Sequence, residues 1–312
     1  MWWILSSLVL ASALAPWFYQ AGKELAETAS TNELSSTLEW LGAACGRAGL
    51  SRYFSRALTF SAVSLLPLLV WRIRVIRRFG NSVVVGLSPA PWKSAVAQVL
   101  LGGVIAGGLL WGTGVMLEGL GAFKLRANPP ELGHFLKRTL VSAVAVSLIE
   151  EWLFRGLLLG LWLKFTKPLA ACVGTSLFFA FIHFLKPPDG TLFADPASPW
   201  AGFELLGKVF IHFTNPRFFV TDFATLWAIG MILAWARIRT GALWFSLGLH
   251  AGWIVAYKEF TMFYRPISEH SLHPWGVGQT LRSGMYPLLA LGLTALICHF
   301  ALRQFERRGE LG

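Results

Sequence analysis

At 312 residues, with 55% hydrophobic and 14% charged side chains and a mean hydropathy of +0.56, the chain is either one large soluble domain or a polytopic membrane bundle. Apolar runs of about twenty residues recur along it, each long enough to cross a hydrocarbon core of about 30 Å as a helix, and this excludes the soluble domain. A formal charge of +11 would suggest nucleic acid in a soluble protein, but here Lys and Arg gather at the ends of apolar runs. That is the positive-inside pattern, so the expected partner of the basic residues is the lipid bilayer and no nucleic acid is expected.

The first run, Met1 to Tyr19, ends in ASALA but has no basic region before it, and is read as a retained span rather than a cleaved signal. Residues 20 to 55 mix Lys23, Arg47 and Arg52 with Glu24, Glu27, Glu33 and Glu39, an amphipathic external segment. A second span covers 57 to 71 and ends on Arg72, Arg74, Arg77 and Arg78, the densest basic cluster, followed by a Gly/Asn/Ser/Pro-rich loop to Lys93. The positive-inside rule makes this loop cytoplasmic, and with it the N-terminus. The third span, 95 to 117, is Gly-rich and suited to close helix packing. The external segment from Glu118 to Arg138 contains the helix breaker Pro129-Pro130.

A fourth span, 140 to 163, ends near Lys164 and Lys167; a fifth runs from 168 to 185 and is followed by a Pro-rich aromatic loop to Arg217, in which a re-entrant segment at 200 to 215 would also fit. The sixth, 218 to 236, ends on Arg237 and Arg239; the seventh is 242 to 257; the eighth, 286 to 302, ends on Arg303, Arg307 and Arg308. Every short basic cluster then falls on one side. The expected fold is all-α, a polytopic transmembrane helix bundle of about eight spans with both termini cytoplasmic. Cys45, Cys172 and Cys298 form no framework and no CxxC pair and read as packing residues.

Within the fourth span, Glu150, Glu151 and Arg155 interrupt an otherwise apolar helix. Ionisable groups at that depth cost at least a few kcal/mol each, so they mark a functional site by default. Glu151 and Arg155, at i and i+4, share a face and can pair, which lowers the burial cost of both. Glu150 is displaced from Glu151 by about 100° and is aimed elsewhere. The bland alternative is that all three are ionic glue between helices.

In the fifth span Phe179 and His183 are i and i+4. Glu150 lies thirteen residues from Leu163, and His183 fifteen from Pro168. Both therefore sit roughly 20 Å from the cytoplasmic face and can meet at one level. The seventh span adds His250, flanked by Gly248 and Gly252, with Trp253 and Tyr257 on its face; for these two an aromatic packing stripe is the better reading. A glutamate and two histidines admit two chemistries. Either Glu150 and His183 activate water while His250 donates to the oxyanion of a tetrahedral intermediate, or imidazoles and carboxylate hold a divalent metal such as zinc. No HExxH or similar local ligand spacing is present, so the metal reading has less behind it.

These motifs resemble the CPBP family, the CAAX proteases and bacteriocin-processing enzymes related to the type II CAAX prenyl endopeptidase. Its pattern is EExxxR, then FxxxH, then a Gly- and Thr-containing helix leading to HxxxN. EEWLFRG matches at Glu150, Glu151 and Arg155, FAFIH at Phe179 and His183, and Phe223, Gly230, Thr240 and Gly241 precede His250. The resemblance covers about residues 137 to 258. It makes 1–136 an N-terminal region of about three spans, 137–258 a catalytic core of about four, and 259–312 an external loop and last span.

The resemblance implies a glutamate-type intramembrane endopeptidase without obligatory metal, acting on a membrane-associated protein or peptide. Separately from the resemblance, the expected location is the plasma membrane of a bacterium. Carried over by motif, Glu150 and His183 activate water, His250 assists at the oxyanion, and Glu151 and Arg155 support the site. HxxxN would place asparagine at 254, where this chain has Ile254. One implied oxyanion donor is thus absent, and the loss of such a donor costs on the order of a hundredfold in rate. Trp253, through its indole N–H, is the substitute at hand; a catalytically weak scaffold or immunity protein of the same fold is the alternative. A transporter would need an inverted repeat of interrupted helices, and none is seen.

Overall fold

The computed structural model describes residues 2–32, 35–65, 67, 68, 71, 92–129, 131–185 and 193–307. The Arg72, Arg74, Arg77 and Arg78 cluster with the loop that follows it, Pro130 and Arg308 lie outside the described residues. Ten helices and one two-stranded ribbon are described: α1 (Trp2–Thr31), α2 (Ser36–Gly46), α3 (Leu50–Ser64), α4 (Trp92–Gly119), β1 (Phe123–Leu125), α5 (Leu132–Glu151), α6 (Pro168–His183), α7 (Ala201–His212), α8 (Pro216–Thr240), α9 (Trp244–Phe263), β2 (Tyr264–Pro266) and α10 (Met285–Arg307). Helix α5 continues through a π-helical stretch, Trp152–Leu158, into Leu159–Trp162, and α8 carries a second π-helical turn at Phe219–Phe223.

The chain is mostly helical, with four helices among the described residues long and apolar enough to cross a membrane: α1, α4, α8 and α10. These correspond to the first, third, sixth and eighth expected spans; α6, the fifth, is apolar but shorter. Boundaries differ from expectation where an apolar run stops before its helix does. Helix α1 runs on to Thr31, well past Tyr19, because its polar end (KELAETAST) is made of good helix formers and nothing there breaks the backbone ladder. The β1–β2 ribbon pairs antiparallel with Lys124 opposite Arg265 and is, among the described residues, the one departure from an all-helical description.

Two compact units are present, Met1–Ser82 with His183–Asn215, and Val83–Ile182 with Pro216–Gly312. In the first, α2, α3 and α7 pack on α1. Pro16 inside α1 has no N–H to offer the Ser12 carbonyl one turn earlier. Gly202 of α7 lies against that oxygen, where any Cβ would overlap it. Gln20 Nε2 donates to the Ala197 carbonyl at 2.6 Å, and the Tyr53 hydroxyl donates to the Cys45 carbonyl at 3.0 Å.

In the second unit α4 and α9 form the tightest pair. A Cβ at Gly102 would lie 2.6 Å from the Phe245 carbonyl oxygen, one at Gly252 would lie 2.5 Å from the Gly103 carbonyl oxygen, and Gly248 abuts the Val99 carbonyl. The space beside His250 that the glycines open is therefore occupied by the backbone of α4, not by substrate. Helix α10 packs on α4 and α8. A cluster of Trp111, Phe123, Phe260 and Tyr264 closes the core at the ribbon end, with Phe260 and Tyr264 stacked at 4.5 Å. There Arg126 Nε donates to the Thr261 and Tyr264 carbonyls, both at 3.2 Å. Cys45, Cys172 and Cys298 are buried free thiols.

Since α4 and α9 meet through backbone, Gly252→Val should destabilise the detergent-solubilised protein by about 1–3 kcal/mol, the range for overpacking a filled interface. Gly108→Ala, on the open face of α4 with nothing within 4 Å, should leave the thermal midpoint unchanged. Equal midpoints for Gly252→Val and wild type would show that the helices do not approach this closely.

Candidate active site

Glu151 is the last α-helical residue of α5, and only 1% of its side chain is exposed. Its Oε1 accepts from Arg155 Nη1 at 2.9 Å, the i, i+4 pair that the spacing predicts, and stands 2.9 Å from His250 Nδ1. A carboxylate can only accept, so Nδ1 is the protonated nitrogen in this contact. The other ring nitrogen, Nε2, lies 3.6 Å from Glu150 Oε2. The two carboxylates, expected to diverge, thus face opposite nitrogens of one imidazole, because α9 brings His250 to the end of α5 between them.

The environment of Arg155 explains how a buried guanidinium is tolerated. Besides Glu151 it meets the Gly230 carbonyl of α8, Nη2 donating at 3.5 Å, and its plane lies over the Phe179 ring of α6 at 4.4 Å. Phe154 packs edge-on against Phe179 at 5.1 Å, and Phe179 meets the His250 ring at 6.2 Å. Gly230 is itself seated against Ser176 of α6, where a Cβ would come within 2.9 Å of the serine Cβ. The FxxxH phenylalanine therefore serves as a wall for both Arg155 and His250. A guanidinium on an aromatic face, with carboxylate and carbonyl at its edge, is a well-matched buried cation.

Local sequence sets these positions. The helix widens into its π-helical form immediately after Glu151, and such segments recur at functional sites. Gly241 ends α8 in a left-handed conformation, φ +67°, and Thr240 Oγ1 accepts from the Ala242 amide at 3.3 Å. This turn reverses the chain into α9, which returns along α5. Trp253 is buried in the hydrophobic core with Tyr257 against it, the packing stripe expected of them, and Ile254 is half-buried one turn beyond His250. His183 is the last residue of α6, one turn after Phe179.

An apolar cleft of about 400 Å³ borders Glu151, lined by Leu148, Ile149, Trp152, Leu243, Trp244 and Leu247. Ile149 and Trp152 are exposed on its outer side. Among the described residues no group of three or more His, Cys, Asp or Glu side chains is arranged to hold a metal ion. Sequence reasoning did not find the Gly230 carbonyl or the π-helical widening. Gly230 stood in the motif-bearing helix but gave no sign that its carbonyl was the contact, and the widening leaves no trace in an apolar pattern.

Long apolar helices and a buried charged cluster define an integral membrane protein with a polar site inside its helical body. The family model described as type II CAAX prenyl endopeptidase Rce1-like matches residues 133–256, so this part of the chain matches the CPBP/CAAX protease family. The matched stretch contains EExxxR, FxxxH and His250 together. No curated protein and no solved structure matches the chain.

Removing Arg155 would leave Glu151 buried beside only a histidine. Arg155→Met should therefore cost about 3–5 kcal/mol, the penalty for breaking a buried pair, whereas Glu151→Gln/Arg155→Met should recover most of it. Thermal unfolding of the three proteins in one detergent checks this; a double variant no more stable than Arg155→Met would refute the pairing as the reason.

Proposed function

We propose that the protein is an intramembrane endopeptidase of the CAAX-protease type that hydrolyses a peptide bond in a membrane-associated protein or peptide. The observation that carries the reading is His250 held between Glu150 and Glu151, with Arg155 locking Glu151, inside the segment that matches the Rce1-like family. Glu150, with His183, takes a proton from water as its oxygen adds to the carbonyl carbon. The proton then passes to the leaving amine as the C–N bond breaks. His250, fixed through Nδ1 by Glu151, acts at the oxyanion as the imidazolium, with Nδ1–H donating to Glu151 and Nε2–H to the oxyanion. Glu151 and Arg155 position that imidazole and do not touch substrate. The Glu150–His183 pair generates the nucleophile without a metal ion. The cleft beside Glu151 gives an apolar substrate group a way in from lipid. The chain crosses the membrane eight times with both termini cytoplasmic, in a bacterial plasma membrane.

Profiling of protein termini in membranes from cells expressing wild type or Glu150→Gln should reveal new termini that depend on Glu150. His183→Ala and His250→Ala should lose them as well while each variant accumulates normally. Wild-type termini in the Glu150→Gln or His183→Ala cells would sink the mechanism.

Ile254 supports a second reading, a catalytically weak scaffold of the same fold. If Trp253 does not replace the missing donor, Ile254→Asn should raise cleavage by on the order of a hundredfold. An unchanged rate would show that the site is complete without asparagine.

A further inference from the structure

Between β2 and α10 the chain lies against the ends of α4 and α9 as a strap of turns, residues 267–284. Its Val277 and Leu281 are buried in the core with Leu117 of α4 and Phe260 of α9, and a Cβ at Gly114 would meet both Phe260 and Leu281. Backbone anchors hold its two ends: the Ile267 amide donates to the Ala122 carbonyl at 2.9 Å, and the Gly284 amide to the Thr221 carbonyl at 3.2 Å. Between them stands half-buried His273. Its Nδ1 lies 2.9 Å from the Val277 carbonyl oxygen and its Nε2 3.0 Å from the Ala122 carbonyl oxygen, while the ring meets Phe123 at 5.7 Å. A carbonyl oxygen only accepts, and a neutral imidazole carries one N–H. The neutral ring would satisfy one of these contacts and set a nitrogen lone pair against oxygen in the other. Both contacts are hydrogen bonds only when the ring is the imidazolium.

No carboxylate among the described residues is within ion-pair distance of His273, so the two carbonyls, not a counter-ion, hold its second proton. Lys124 and Arg265 face each other in the ribbon next to Phe123 and Pro266, and side chains alternate along a strand, so both lie on the side away from the ring. Glu118 of α4, Glu269 and Arg282 of the strap and Tyr286 of α10 make no bond to it among the described residues. His270 has the opposite requirement: its Nδ1 accepts from the Leu272 amide at 3.2 Å and must be bare. We propose that His273 is a proton-operated latch, which holds the strap to Ala122 when charged and lets it go when neutral. The docked strap then binds one proton more than the released strap wherever a free histidine is neutral, so docking is strongest at acid pH and weakens as the pH rises. The strap lies at the end of α9 away from the Arg237 and Arg239 end of α8, the side that the positive-inside pattern assigns to the exterior, so the latch reads the pH outside. Release frees Val277 and Leu281 from Phe260 and loosens the end of the helix that carries His250. The latch does not depend on the reading of the site as a protease.

Amide hydrogen exchange of the full-length protein in lipid nanodiscs, read at about pH 5.5 and about pH 8.5 and corrected for the chemical exchange rate at each, brackets the range in which histidine titrates. Peptides covering 267–284 should lose about tenfold in protection at the higher pH, the loss of one hydrogen bond from a charged donor, while α4 around Gly102 keeps its protection. His273→Gln donates through an amide that does not titrate, and should change by less than about twofold between the two pH values. His273→Arg, a cation at both, should stay protected at the higher pH. His270→Ala should keep the wild-type pH dependence. Equal protection of the wild-type strap at both pH values overturns the proposal, as does a pH dependence that survives His273→Gln or disappears in His270→Ala. The wild-type and His270→Ala profiles decide the matter even where neither His273 variant accumulates.

Discussion

One buried carboxylate organises the functional half of this molecule. Glu151 is nearly inaccessible, and its Oε1 receives both Arg155 and His250. A charge in that position is tolerable only when its partners are held as firmly as itself. The guanidinium is fixed by Phe179 and the Gly230 carbonyl, and the imidazole by the seating of α9 on α4. Four helices, α5, α6, α8 and α9, therefore each contribute to keeping one ion pair satisfied. Residues that never meet a substrate can be as necessary as those that do.

The glycines show how the same constraint reaches further out. Gly248 and Gly252 flank His250 in sequence and invite the thought that substrate approaches there. They are instead pressed on the backbone of α4, at Val99 and Gly103. Hydrophobic driving force between helices is weak in a membrane, so close backbone approach and its dispersion contacts carry the association. Placing that contact either side of the histidine ties the accuracy of His250 to the most rigid surface available. Open space lies on the other face, toward α5, where the apolar cleft borders Glu151.

What was legible in the sequence follows from how local the information was. The Glu151–Arg155 pair needed only helical spacing, and the placement of charged residues in an apolar run marked them as a site. Phe179 and His250 could be ordered by motif, but that Phe179 walls both Arg155 and His250 depends on three helices meeting. The 100° between Glu150 and Glu151 suggested separate tasks; a histidine ring wide enough to face both was a tertiary fact. Helix ends were misjudged where polarity changed without a break in backbone hydrogen bonding, as after Tyr19. The ribbon was missed because strands of three residues carry no periodicity.

Ile254 can be weighed against this arrangement. It sits one turn past His250 and is half-buried, so a side chain there shares the histidine's face, as an asparagine donor would require. Isoleucine fills the position without donating. Trp253 is committed to the hydrophobic core, and its neighbours are apolar. His250 projects from the same helix, and its orientation is set by Glu151. In this chain, then, the Glu151–Arg155 pair does more than lower a burial cost: it also fixes the angle at which the His250 ring is held between the two carboxylates.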